Sequence, residues 1–119
     1  MGSFRDLLVW QKAIELAIVV HKLSAEFPRE EAFGLSSQMR RAAVMIPSQI
    51  AAGQGRLERA EFRHLLSVAR SANYELQTQF EIARELNLGT DEALGHLEHL
   101  SQEVGRMLYG MMESLKSPA

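Results

Sequence analysis

A chain of 119 residues has room for one domain with a modest core, and none for two independent units. Its 46% hydrophobic and 24% charged content excludes a disordered chain, and 13 Lys+Arg against 15 Asp+Glu, a net charge of −2, excludes a uniformly basic coat for nucleic acid while leaving room for a local patch. The absence of cysteine excludes a disulfide scaffold, a thiol nucleophile and any cysteine-based zinc or iron–sulfur site. The apolar stretch Leu7–Val20 is interrupted by Gln11, Lys12 and Glu15, so it reads as neither a signal-peptide core nor a membrane span. Asp6 stands where a myristoylation signal needs Ser or Thr. The expectation is one domain over residues 1–119, cytoplasmic and without membrane contact.

In the first segment Trp10, Ala13, Ala17, Val20, Leu23 and Phe27 recur at steps of three and four, and Pro28 stops the pattern. This helix also carries Leu7, Leu8, Val9, Ile14, Leu16, Ile18 and Val19, apolar surface around most of its circumference. Such a helix buries a second face, either in a wide core contact or in a subunit interface. The second segment puts Leu35, Met39, Ala42, Ala43, Ile46 and Ile50 on one stripe that continues past Pro47, which predicts a single kinked helix. Gly53 and Gly55 are expected to end it through glycine's access to the left-handed conformation. The third segment shows a heptad-like seam of Phe62, Leu65, Ala69, Leu76, Ala83 and Leu86, with the small Ala72 within it, closed by Asn87-Leu88-Gly89. Thr90 is the expected N-cap of the fourth, with Asp91 and Glu92 placed against the helix dipole. Leu94, Leu97, Val104, Met107, Leu108, Met111 and Leu115 form its apolar face, and Ser117-Pro118-Ala119 is expected to fray. No stretch alternates with period two. Short connections make neighbouring helices antiparallel, so the predicted fold is all-α, an up-down-up-down four-helix bundle.

Catalytic constellations are sparse. Gly53-Gln-Gly55-Arg56 lacks the Gly-Lys-Ser/Thr ending of a phosphate loop and follows no strand. One Glu-x-x-His occurs, at Glu61-Phe62-Arg63-His64, where a di-iron bundle needs two. His96 and His99 could share a metal but have no further identifiable ligand. The serines form no nucleophile elbow. No enzymatic activity, metal or other cofactor is expected.

Charge is more informative. Between Gln38 and Ala72 lie Arg40, Arg41, Arg56, Arg59, Arg63 and Arg70 against only Glu58 and Glu61, a local +4. Arg59, Arg63 and Arg70 have the spacing to share one face of the third helix, and the planar guanidinium fork suits phosphate. These six are the candidate nucleic-acid-binding residues; the competing reading is a solvated face paired with the acidic remainder of the chain. Phe62 reads as core, which leaves Tyr74 as the stacking candidate, so backbone contact is expected over base reading.

Phe4-Arg-Asp-Leu-Leu-Val-Trp-Gln-Lys-Ala13, Phe27-Pro28, Phe33-Gly-Leu-Ser-Ser-Gln-Met-Arg-Arg-Ala-Ala43, Ile46-Pro-Ser-Gln-Ile-Ala51 and Gly53-Gln-Gly-Arg56 together resemble the family of 23S rRNA intervening-sequence proteins, which includes the accessory variability protein of diversity-generating retroelements. The resemblance implies a four-helix bundle assembling into a ring-shaped homopentamer. In the retroelement branch it implies a basic ring that binds nucleic acid and a reverse transcriptase. The chain departs from the family pattern at Met45, Gln49 and Ala52, where Ser, Asn and Glu are usual, and at Ser71-Ala72, where Gly-Ser is usual. Those departures remove polar groups from a cluster expected to be buried or functional. The resulting expectation is an oligomeric accessory protein that binds RNA or DNA backbone. Its alternative is a protein-interaction scaffold without nucleic-acid binding.

Overall fold

The computed structural model describes residues 2–31 and 34–116; Phe33 of the motif above and the frayed end expected at Ser117–Ala119 lie outside them. Four helices, α1 (Leu8–Ser24), α2 (Leu35–Gln54), α3 (Arg59–Glu85) and α4 (Asp91–Ser114), account for most of these residues, and no strand occurs among them. Each helix packs on its neighbour in sequence and α1 closes the bundle against α4, which leaves α1/α3 and α2/α4 as diagonals. The molecule measures 48 × 23 × 20 Å. None of the helices is long and apolar enough to cross a membrane.

The tryptophan motif has a structural explanation. Ser3 caps a short helical turn at Phe4–Asp6, and Asp6 accepts from the Ser3 amide in return. Phe4 packs edge-to-face on Trp10 at 5.3 Å, and Gln11 donates to the Arg5 carbonyl at 2.9 Å. The motif clasps the N-terminal turn onto α1.

Helix α2 runs through Pro47 as one element. Its end differs from expectation. Gly55 caps α2 with φ −79°, and no left-handed residue occurs there. Gly53 is needed for space, because a Cβ at that position would lie 2.8 Å from Phe62 Cδ1 and 3.2 Å from Leu65 Cβ. The left-handed conformation falls after α3 instead, at Asn87 (φ 57°) and Gly89 (φ 75°). There the Leu88 amide donates to Ala83 O and the Asn87 amide to Arg84 O, a Schellman ending. Thr90 caps α4 as expected, accepting from the Ala93 amide at 3.1 Å.

The core departs from the predicted stripes at a few positions. Leu66, Asn73 and Phe80 are buried on α3, while Leu86, one residue past the helix, is 55% exposed because the chain is already turning. Phe62 and Leu65 are half-buried against Gly53. On α4, Leu100 and Ser101 join the core. Phe27 is buried but lies beyond α1, and Trp10 is half-buried. Leu8 and Ile18 of α1 remain exposed, so the apolar surface of this helix exceeds what the bundle covers.

Candidate nucleic-acid interface

The six arginines are divided among different tasks by the fold. Arg40 of α2 reaches back to the end of α1, donating to Ser24 Oγ at 2.8 Å and to the His21 carbonyl at 3.3 Å. Arg59 and Arg63 of α3 do the same for α4, donating to Ser114 O at 2.9 Å and Met112 O at 3.0 Å. In all three cases a guanidinium donates to a carbonyl of a helix's last turn, where His21 O and Met112 O also accept from the Ala25 and Leu115 amides, and sits at the negative end of the dipole, an effect of about 0.3–1 kcal/mol each. Arg40 is at one end of the bundle, and Arg59 and Arg63 are at the other.

Arg41 is exposed on α2, in a cleft against Glu75, Thr78 and Gln79 of α3. Arg56 is exposed in the α2–α3 connection, beside Ala60, Glu61 and His64. Arg70 has the most distinctive surroundings. Its guanidinium carbon lies 5.4 Å from the ring centroids of both Tyr74 and Tyr109. Together with Arg106, Gln77 and Gln102 these side chains line an open groove of about 510 Å³ between α3 and α4. No Asp or Glu lines it among the described residues.

A buried polar knot holds this groove in shape. Asn73 donates to the Ser101 carbonyl at 2.9 Å, and Ser101 Oγ donates to Asn73 Oδ1 at 2.7 Å. Gln77 donates to Ser101 Oγ at 2.9 Å. Gly105 makes room above it, since a Cβ there would lie 3.2 Å from Asn73 Nδ2. The knot locks the register of α3 against α4, and that register brings Arg106 and Tyr109 to Arg70. Sequence reasoning missed both residues because they lie on another helix in a segment read only for its apolar face. The expected scarcity of aromatic partners is corrected here, as Arg70 has two.

Of the positions that depart from the family pattern, Ala72 is buried in the core and Ser71 is exposed, and the three on α2 form no buried cluster. Met45 and Ala52 are exposed on α2 and Gln49 is half-buried. Met45 and Gln49 line a shallow surface with Arg40, Arg41, Val44 and Ser48. Glu61, His64, His96 and His99 are exposed, and among the described residues no three His, Asp or Glu side chains come together in a way that could hold a metal.

Beyond the groove the same helix pair turns acidic. Arg84 of α3 donates to Glu98 of α4 and, at 3.0 Å, to Glu81, with Asp91 at 3.9 Å. The Arg84 hydrogen bond holds the Glu98 carboxyl below the usual carboxylate range, against a smaller opposing effect of burial. At the basic end Lys116 lowers Glu113 in the same way, through a hydrogen bond that outweighs its desolvation.

Fold and surface thus define a four-helix bundle whose α3–α4 face is cationic and aromatic at one end and acidic at the other. The chain belongs to the 23S rRNA-intervening sequence protein family, whose model matches residues 5–110. A solved structure of a protein of unknown function from the S23 ribosomal protein family of Bacteroides thetaiotaomicron superposes with a TM-score of 0.83 at 22% identity, covering 89% of this chain and 96% of that one. That likeness extends to the fold. A search of curated proteins gave no match.

Proposed function

We propose that this protein is a non-enzymatic, self-associating bundle that binds RNA or DNA through the basic half of its α3–α4 face. The observation that carries this reading is the meeting of Arg70 and Arg106, from two helices, in one open groove without an acidic lining residue among those described. Arg59, Arg63 and Lys116 extend the cationic surface toward the bundle end, and Arg56 joins it from the α2–α3 connection. Arg40 is committed to the end of α1 and Arg41 faces the α2–α3 cleft, so neither belongs to this surface. Exposed Leu8 and Ile18 on α1 and Val44 on α2 support self-association, for which the family resemblance supplies a pentamer. A ring would repeat the cationic groove around one axis and reinforce its field.

The test is a salt titration of binding to a short RNA and a short DNA, with light scattering on the same samples. Affinity falls steeply with salt, with a logarithmic slope of about −0.7 to −0.9 per phosphate neutralised. Arg70→Ala with Arg106→Ala weakens binding, and Arg40→Ala does not. No binding at low salt overturns the reading. A second reading, a scaffold for a protein partner such as the reverse transcriptase implied by the resemblance, is favoured by the net charge of −2 and by the engagement of Arg40, Arg59 and Arg63 in helix ends.

A further inference from the structure

The groove between α3 and α4 has more structure than a backbone-binding surface requires. Phosphate contact positions a strand through cations and hydrogen-bond donors and calls for no aromatic platform. Here Arg70 is flanked by two tyrosine rings at 5.4 Å, and those tyrosines are 53% and 51% exposed. The exposed tyrosines and the half-buried guanidinium line the groove together with their π and planar surfaces. Aromatic rings and arginine planes are the two groups on which unpaired bases stack. Gln77 and Gln102 stand at the same groove, and each amide offers both a donor and an acceptor to a base edge. Gln77 is steadied by its bond to Ser101 Oγ. Arg106 supplies a second cation beside the platform. The volume of about 510 Å³ falls within the ~300–1,000 Å³ typical of small-ligand sites.

We propose that this groove receives one unpaired nucleotide of a bound strand, its base on the Tyr74–Arg70–Tyr109 platform and its phosphate on Arg106. This rests on the nucleic-acid reading above and narrows it to single strands, loops or ends, because a base inside a duplex has no free face to offer. Gly105 and the Asn73–Ser101 knot act as positioning elements, since they set the depth of the groove and the register that pairs Tyr109 with Arg70.

The experiment compares three probes at one salt concentration: a short single strand carrying a fluorescent purine analogue, its duplex, and free adenosine monophosphate. Wild-type protein is expected to bind the single strand about fivefold or more tighter than the duplex and to quench the analogue by stacking. Tyr74→Leu with Tyr109→Leu is expected to abolish both the preference and the quenching while leaving the salt slope unchanged. Tyr74→Phe with Tyr109→Phe keeps them. Both tyrosines are half-exposed, and an unchanged thermal midpoint checks that the variants fold. Equal binding of single strand and duplex, with leucine variants behaving like wild type, overturns the proposal and leaves backbone binding standing. Free nucleotide binding as tightly as the strand overturns the assignment to a strand. No binding of any probe at low salt overturns this proposal and the nucleic-acid reading together.

Discussion

The two halves of the α3–α4 pair are built from the same helices and solve opposite electrostatic problems. Residues 59–72 and 103–116 carry five Lys and Arg against three Glu; residues 73–86 and 91–102 carry one Arg against six Asp and Glu. In the acidic half the single cation, Arg84, is surrounded by Glu81, Asp91 and Glu98 and works as a clamp between the helices. In the basic half Arg70 has tyrosine faces for neighbours, and its cationic partner across the groove is Arg106. An arginine whose donors all meet carboxylates serves the fold, whereas one held by π faces keeps its donors for something else. The polar knot of Asn73, Gln77 and Ser101 lies at the divide.

Cutting that knot has the largest expected effect. Asn73→Ala leaves buried Ser101 groups without their partner, and urea unfolding is expected to show a loss of about 1–3 kcal/mol. Both halves should suffer, the basic one also through a disordered groove. Next in size is a contrast between cations. Arg70→Gln with Arg106→Gln is expected to weaken binding to a short RNA at least about tenfold, roughly 1.4 kcal/mol, while Arg84→Gln leaves it unchanged. An equal loss from both would erase the distinction between the halves.

Acid titration probes the clamp when wild type is compared with a Glu98 variant, since Glu113 is lowered in both. Glu98 is held below its ordinary value in the folded state, so the unfolded chain takes up this proton first. The stability it contributes is fully present above the ordinary carboxylate value of about 4.3 and is lost as pH falls through the depressed folded value. Thermal midpoints measured down this range should fall less steeply in Glu98→Gln than in wild type. The smallest effect is expected at the neighbouring α2–α3 cleft. Gln79 Oε1 is buried there without a hydrogen-bond partner among the described residues. Gln79→Met removes that unmatched acceptor and should be neutral or stabilising by less than about 1 kcal/mol in the same urea assay.

Most of the bundle is written in the linear order of residues. Leu35, Met39, Ala43, Ile46 and Ile50 lie on one stripe because the helical period is a local property, and all are buried. Thr90 and Asn87 mark their helix boundaries because capping depends on residues a few positions away. The concentration of arginine in the second and third helices was equally visible. What each arginine does was not. Arg40, Arg59 and Arg63 bind carbonyls 19, 55 and 49 positions away, and such partners exist only once the helices pack. Gly53 looked like a helix terminator, yet its role is to admit Phe62 and Leu65 from the next helix. Composition, helix count and the boundaries at Asn87 and Thr90 followed from short-range chemistry along the chain. The tyrosine-flanked groove and the division of arginines between structure and surface were decided by the register of α3 on α4, because side chains on different helices acquire neighbours only through packing.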